Sequence, residues 1–320
     1  MEITALIKST CQEVTNASKN VKINKQKLEE LAVSISSKPV YVNYFDCPGH
    51  IPISESVENI TAYVFIMDAL NFCFWPDEHK WEYHNLSQAV TDAMKADANF
   101  ALPSSLAKLT LEEVKQKIFQ GHEFPLLAER QRALNELGLV VATEHNNSFS
   151  DLLKHSEFDA QKLLLIISRK FLMFQDHSIY RGKQVFLYKR AQILIGDLYG
   201  AFVEKAQFSK DEIVPQIKNI EQLTCFADYR IPQILHHEGV LEYSESLSAL
   251  ITSHTELLNG SEEEVEIRAN MVTAVELLRD SLKNKSVNWT AVEVDWLLWQ
   301  IGEARKEEIK PHHRTLSIYY

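Results

Sequence analysis

Residues 62–75 read Ala62-Tyr63-Val64-Phe65-Ile66-Met67-Asp68-Ala69-Leu70-Asn71-Phe72-Cys73-Phe74-Trp75, an apolar and aromatic run interrupted only by Asp68 and Asn71. A stretch of this composition must be buried, and its carboxylate must find a dedicated partner, because burying an unpaired one costs several kcal/mol. The run falls short of the ~20 apolar residues that span a bilayer, and no other stretch reaches that length.

Working outward, the signals are helical. Thr110 with Glu113, Ser261 with Glu264 and Thr290 with Glu293 each fit the S/T-x-x-E capping box. After Ser261, Ile267, Met271, Ala274 and Leu278 recur at helical spacing, and Tyr188 to Val203 is helical in pattern. Leu28, Leu31, Ala32 and Ile35 share one face of a helix within residues 25–35, part of a polar N-terminal helical layer. Val40 to Tyr44 reads as a short strand or extended arm, and Gln184 to Leu187 as strand-like, but nothing alternates regularly enough for a large sheet. The expected fold is mainly α, a single domain over residues 1–320 with a few short strands, residues 1–40 forming the N-terminal layer and 41–320 the core.

Composition narrows the function. The net charge of −11 argues against extended nucleic-acid binding, which gains affinity by replacing counterions with Lys and Arg. Only 9 glycines occur among the 320 residues, with neither G-x-G-x-x-G nor G-x-x-x-x-G-K, which disfavours a nucleotide cofactor cradled by a Gly-rich loop. G-x-S-x-G and H-E-x-x-H are absent, and His236-His237 and His312-His313 are adjacent pairs that cannot share a helix face. Cys11, Cys47, Cys73 and Cys225 have no short paired spacing and read as buried free thiols. No cofactor and no metal is expected. The N-terminus lacks the basic start and apolar run of a signal peptide, so the expected compartment is the cytoplasm.

Three clusters place polar groups in apolar surroundings: Phe65 to Pro76 around Asp68, Phe186 to Leu194 around Lys189 and Arg190, and Leu223 to Leu235 around Asp228. Each has two readings. Asp68 and Asp228 could cap helices or pair with buried cations, or could face a polar ligand in a partly dry site. Lys189 and Arg190 could be solvated, or could hold an anion at a helix N-terminus.

Together the clusters resemble the queuosine salvage proteins. The resemblance rests on Asp68-Ala69-Leu70-Asn71-Phe72 through Trp75-Pro76, Tyr188-Lys189-Arg190-Ala191-Gln192, and Phe226-Ala227-Asp228-Tyr229-Arg230-Ile231-Pro232-Gln233. Glu264-Val265-Glu266-Ile267-Arg268 and His313-Arg314 followed by Ile318-Tyr319-Tyr320 agree, so that residues 50–320 are covered in order. The resemblance implies a helical fold similar to the helix-hairpin-helix DNA glycosylases, and hydrolysis of the N-glycosidic bond of queuosine 5′-phosphate to release queuine. It makes Asp228 the catalytic carboxylate. It implies Asp68 at the guanine-like edge of the base or at its amino-cyclopentenediol arm, Asn71 as a further substrate-binding residue, and Lys189 with Arg190 at the 5′-phosphate. Phe72, Trp75 and Tyr229 would stack on the base, with Tyr188, Arg230, Gln233 and His313 among the substrate-binding residues. The expected partner is a mononucleotide, with no nucleic acid and no membrane. A nucleic-acid base glycosylase of related fold and a non-catalytic helical interaction protein are the competing readings; the former requires a basic face, the latter predicts no cavity beside Asp228.

Overall fold

The computed structural model describes residues 2–38, 47–76, 80–209 and 212–320. Val40 to Tyr44 lie outside the described residues. The helices are α1 (Ile3–Ala17), α2 (Lys25–Ser36), α3 (Val57–Leu70), α4 (Tyr83–Ala96), α5 (Pro103–Leu106), α6 (Leu111–Lys117) and α7 (Leu127–Glu144). They continue with α8 (Phe149–His155), α9 (Ala160–Lys170), α10 (Lys189–Phe208), α11 (Arg230–His237), α12 (Glu245–Thr252), α13 (Glu262–Asn284) and α14 (Ala291–Ala304). The fold is mainly α, as expected. None of the described helices is long and apolar enough to cross a membrane.

Strands are short and peripheral. β1 (Val21–Ile23) pairs antiparallel with β4 (Leu241–Tyr243), and β2 (His177–Tyr180) with β3 (Lys183–Phe186). The second pair turns at Arg181 and Gly182, both at positive φ, as the tightest hairpin turns require. Arg181 adopts this costly conformation while its guanidinium is anchored on the Ala17 carbonyl and Glu262.

α3 is the hub. Every residue from Ile60 to Leu70 is buried, so beyond its first turn the helix has no solvent face, and α4, α7, α8 and α10 pack around it. Its last carbonyls have no partners within the helix. Two buried arginines supply them. Arg190 donates to the carbonyls of Asp68 (3.2 Å), Ala69 (2.7 Å) and Met173, and Arg130 to those of Leu70, Phe72 and Cys73 (2.6 Å for the last). The Phe72 ring lies between the two guanidiniums, at 4.2 Å from Arg130 and 4.6 Å from Arg190.

α13 is the second spine, buried continuously from Glu264 to Val275, and it joins the N-terminal layer to the rest. Its Glu266 carboxylate accepts the backbone N–H groups of Lys19 and Asn20 and the Tyr180 hydroxyl, fixing the α1–β1 junction. The capping boxes at Thr110 and Thr290 form as expected. At Ser261 only half of the box forms. The Ser261 hydroxyl accepts the Glu264 N–H, but the Ser261 N–H goes to the Leu258 carbonyl (3.0 Å), and the Glu264 carboxylate takes the Gly260 N–H (3.1 Å) and Arg268 (3.2 Å) instead.

Candidate active site

α10 begins with Lys189 and presents Lys189, Ile193 and Asp197 on one face, four residues apart, toward a cavity of about 350 Å³. α14 contributes Asp295, Trp296, Trp299 and Gln300 to the facing wall. The turn before α11 adds Phe226, Asp228 and Tyr229, and the segment after α3 adds Asn71, Phe72 and Phe74. His50, Tyr83 and Tyr320 also line the cavity. The volume suits a small-molecule ligand, and the many aromatic faces suit a planar one.

Gly196 sets the approach of the turn that carries Asp228. A Cβ built there would meet the Phe226 ring at 2.7 Å, so a larger residue would have to displace that ring from its place against α10. The turn is then pinned on both sides. Asp295 Oδ2 accepts the Phe226 N–H at 2.8 Å, and Arg268 Nε donates to the Ala227 carbonyl at 2.8 Å. Asp228 Oδ1 accepts the Ile231 N–H at 3.0 Å, at the start of α11. The capping and ligand-facing readings of Asp228 therefore describe one residue.

A buried ion pair connects this turn to α10. Asp176 bridges Arg268 (2.6 and 3.1 Å) and accepts the backbone N–H of Lys189 at 2.9 Å. Arg268 also meets Glu264 and lies against the Tyr320 ring at 4.1 Å. One brace thus fixes both Lys189 and the carbonyl preceding Asp228.

The charges of the site are strongly perturbed. Burial pushes the Asp228 carboxyl above the ordinary range, opposed chiefly by the Lys189 ammonium and then by the Ile231 N–H. Burial pushes Lys189 down, opposed by Asp228 and Asp68. Asp68, fully buried, is pushed up to about 7 by burial against the pull of Lys189, Asn71 and Arg190. Burial likewise raises Asp197 and Asp295 well above the carboxylate range. Such perturbed groups converging on a cavity mark a functional site.

Of the residues singled out in the sequence, Asn71, Phe72, Lys189, Asp228 and Tyr229 line this cavity. Asp68 lies outside its lining, and neither of its carboxylate oxygens meets a hydrogen-bond donor in good geometry. Arg190 also lies outside, its two terminal guanidinium nitrogens donating to the carbonyls of Asp68 and Ala69 near the end of α3 and to that of Met173. Tyr188 stacks on Phe186 at 5.8 Å. Gln233 bridges the Arg230 guanidinium and the Lys310 carbonyl, both at 2.6 Å, while His313 Nε2 meets the Tyr320 hydroxyl at 3.3 Å. Trp75 and Arg230 line a second cavity of about 460 Å³, with Tyr229, His312 and Arg314; Cys47, Phe74, Tyr83, Tyr229 and Trp299 are common to both. Trp75 packs edge-on against Tyr229 at 4.8 Å, and Arg230 pairs with Glu303 at 2.7 Å. The four cysteines form no disulfide with one another; Cys47, rather than being buried, is part-exposed and lines both cavities.

Asp176, Asp197, Asp295, Trp296 and Trp299 were not singled out in the sequence. Asp295 carried a usable signal, an acid inside Val294-Asp295-Trp296-Leu297-Leu298-Trp299, as at Asp68 and Asp228. Asp197 sits two turns after Lys189 on the same helix face.

Because Arg190 supports the hub helix, Arg190→Met should lower stability by about 3 kcal/mol, the cost of stranding buried carbonyls. Denaturant unfolding checks this. A loss of nucleotide affinity with unchanged stability would instead place Arg190 at the ligand.

Comparison with known proteins gives the site its family. Residues 51–320 match the family model described as queuosine salvage protein. The chain is 38% identical to the queuosine 5′-phosphate N-glycosylase/hydrolase of Dictyostelium discoideum, over 98% of each chain. It is 35% identical to that of Sphaerobacter thermophilus over 98% of this chain and 97% of the other, and 34% identical to that of Mus musculus over 82% of each. With its acids and one lysine set in an aromatic cavity, the chain belongs to the queuosine salvage protein family.

Proposed function

We propose that this chain hydrolyses the N-glycosidic bond of queuosine 5′-phosphate, releasing queuine, with Asp228 as the catalytic carboxylate. The observation that carries the reading is the placement of Asp228 and Lys189 in one aromatic-walled cavity, in a chain similar over nearly its whole length to proteins named for that activity.

The bond dictates the chemistry. As C1′–N breaks, its electron pair leaves with the base and positive charge develops on the ribose. Water then forms the new C1′–O bond, and its proton ends on the departing base. An ionised Asp228 beside C1′ stabilises the oxocarbenium charge and directs the water. The base is a 7-deazaguanine, with carbon where purine leaving groups are commonly protonated, so its charge must be met at the pyrimidine edge. Lys189 favours the ionised form of Asp228 against the effect of burial, and in this reading its ammonium meets the 5′-phosphate. Phe72, Phe226 and Tyr229 supply faces for the base.

The experiment is direct: incubate the protein with queuosine 5′-phosphate and follow queuine by chromatography. Absence of release under conditions where the protein is folded would overturn the reading. Lys189→Ala should reduce activity more on the phosphorylated than on the unphosphorylated nucleoside; equal losses would remove Lys189 from the phosphate. The same substitution carries a pH signature. Lys189 lowers the pKa of Asp228, so its removal raises that pKa, and as pH falls the activity that needs ionised Asp228 is lost sooner, at a higher pH than in wild type. The acid limb of kcat/KM should therefore move upward in Lys189→Ala, and an unmoved limb would separate the two residues electrostatically.

A further inference from the structure

Gln192 closes the motif Tyr188-Lys189-Arg190-Ala191-Gln192 and has no part in the chemistry so far. It is fully buried on α10, one turn beyond Lys189, and its amide is committed to groups outside that helix. Nε2 donates to the Leu187 carbonyl at 3.1 Å and to the Thr224 hydroxyl at 2.8 Å, and Oε1 accepts the Thr224 N–H at 2.9 Å. A flipped amide would set its NH2 against the Thr224 N–H and its oxygen against the Leu187 carbonyl, so the pattern fixes one orientation. The Thr224 hydroxyl, equally buried, donates onward to the Cys225 carbonyl at 3.1 Å.

Thr224 stands four residues before Asp228, at the entry to the turn that carries it. Asp295 of α14 holds that turn at the Phe226 N–H, and Arg268 of α13 at the Ala227 carbonyl. Gln192 ties its entry to α10, the helix of Lys189. The contact of Gly196 with Phe226 brings turn and helix together without a directional bond; the Gln192 amide supplies the direction. Lys189 and Gln192, three residues apart, are neighbours on the helix surface, so the clamp acts within a turn of the ammonium. Burial raises the Asp228 carboxyl. Of the charges around it, Lys189 from α10, Arg230 from α11 and Asp295 from α14, Lys189 opposes that rise most strongly. Such an attraction depends on separation. For charges about 4–6 Å apart at an effective dielectric of about 20, one further ångström weakens it by roughly 0.3–0.6 pH unit.

We propose that Gln192 is a positioning residue for the hydrolysis, its amide setting the separation of Lys189 and Asp228 by clamping Thr224 to the first turn of α10. This rests on the reading of Asp228 as the catalytic carboxylate with Lys189 as the cation beside it. Gln192 itself lies outside the lining of the cavity and acts through the two residues that do line it.

The test is Gln192→Leu, which keeps much of the bulk and removes both ends of the clamp. Thr224→Val, which removes the hydroxyl bonds and leaves the backbone one, is the milder variant. Gln192→Leu should lower kcat on queuosine 5′-phosphate by roughly ten- to a hundredfold with KM little changed, the scale of a misplacement of about 1 Å. The acid limb of kcat/KM should move upward by roughly 0.3–0.6 pH unit, and Thr224→Val should move both quantities the same way by less. Carboxyl-13C NMR of Asp228, assigned with Asp228→Asn, reads the same upward shift without turnover. In a Lys189→Ala background Gln192→Leu should move that carboxyl no further, since no ammonium is left to displace. A lower melting temperature with wild-type kcat in the folded fraction and an unmoved carboxyl would make Gln192 a packing residue and overturn the proposal. An equal shift with and without Lys189 would overturn it too. If Gln192→Leu does not fold, Thr224→Val is judged by the same criteria. If wild type releases no queuine, the hydrolase reading fails, and the NMR comparison still decides whether Gln192 sets the separation of Lys189 and Asp228.

Discussion

Asp228→Asn should lower kcat/KM for queuosine 5′-phosphate by about a thousandfold, roughly 4 kcal/mol of transition-state stabilisation. The substitution isolates charge from shape. Asparagine keeps an oxygen for the Ile231 N–H, so the start of α11 and the turn before it are preserved. It removes the negative charge that faces the ribose, and that interaction is strongest when the oxocarbenium ion forms. The loss should therefore appear in kcat, with KM little changed. Single-turnover release of queuine measures it, and a near-wild-type rate would exclude Asp228 as the catalytic group. In wild type, the acid limb of the pH profile should lie above the ordinary aspartate range, because burial raises this carboxyl.

The second large effect is on stability. Arg268→Met should cost about 3–5 kcal/mol, because it strands Asp176 and Glu264 as buried acids without their cation. It also frees the Ala227 carbonyl, so the folded fraction should turn over more slowly as the Asp228 turn loosens. Arg268→Lys should recover only part of the stability, since a single ammonium cannot meet Asp176, Glu264 and the carbonyl as the planar fork does. Denaturant unfolding gives the first quantity and kcat of the folded protein the second. Wild-type stability in Arg268→Met would mean that the ion pair makes no net contribution.

Much of this architecture was legible along the chain. The apolar spacing after Ser261 became α13, and Leu28 to Ile35 became the buried face of α2. Those patterns are local: a period near 3.6 states which side chains face inward, whatever they face. Asp228 was legible for a related reason, an acid amid Phe226, Ala227 and Tyr229 that had to be either satisfied or used. Its two readings were not separable there, and in the structure one oxygen caps α11 while the residue lines the cavity.

Asp68 and Arg190 show where local reading stops. In α3 every position from Ile60 to Leu70 is buried, so no face is marked and the direction of Asp68 cannot be read from its neighbours. Arg190 follows Lys189 by one residue, which on a helix turns it about 100° away. It faces the end of α3 while Lys189 faces the cavity. Asp176 illustrates the same limit, since nothing near it in the chain announces Arg268.

The residue pattern alone was enough for the helical class, the buried hub, the helix starts and the suspicion attached to Asp228, because each follows from burial and hydrogen-bond satisfaction within a few residues. The convergence of Lys189, Asp197, Asp228 and Asp295 on one cavity is different. It depends on how α10 and α14 pack, on the close approach at Gly196 and on the Asp176–Arg268 brace, all contacts between distant parts of the chain whose geometry exists only once the helices have packed.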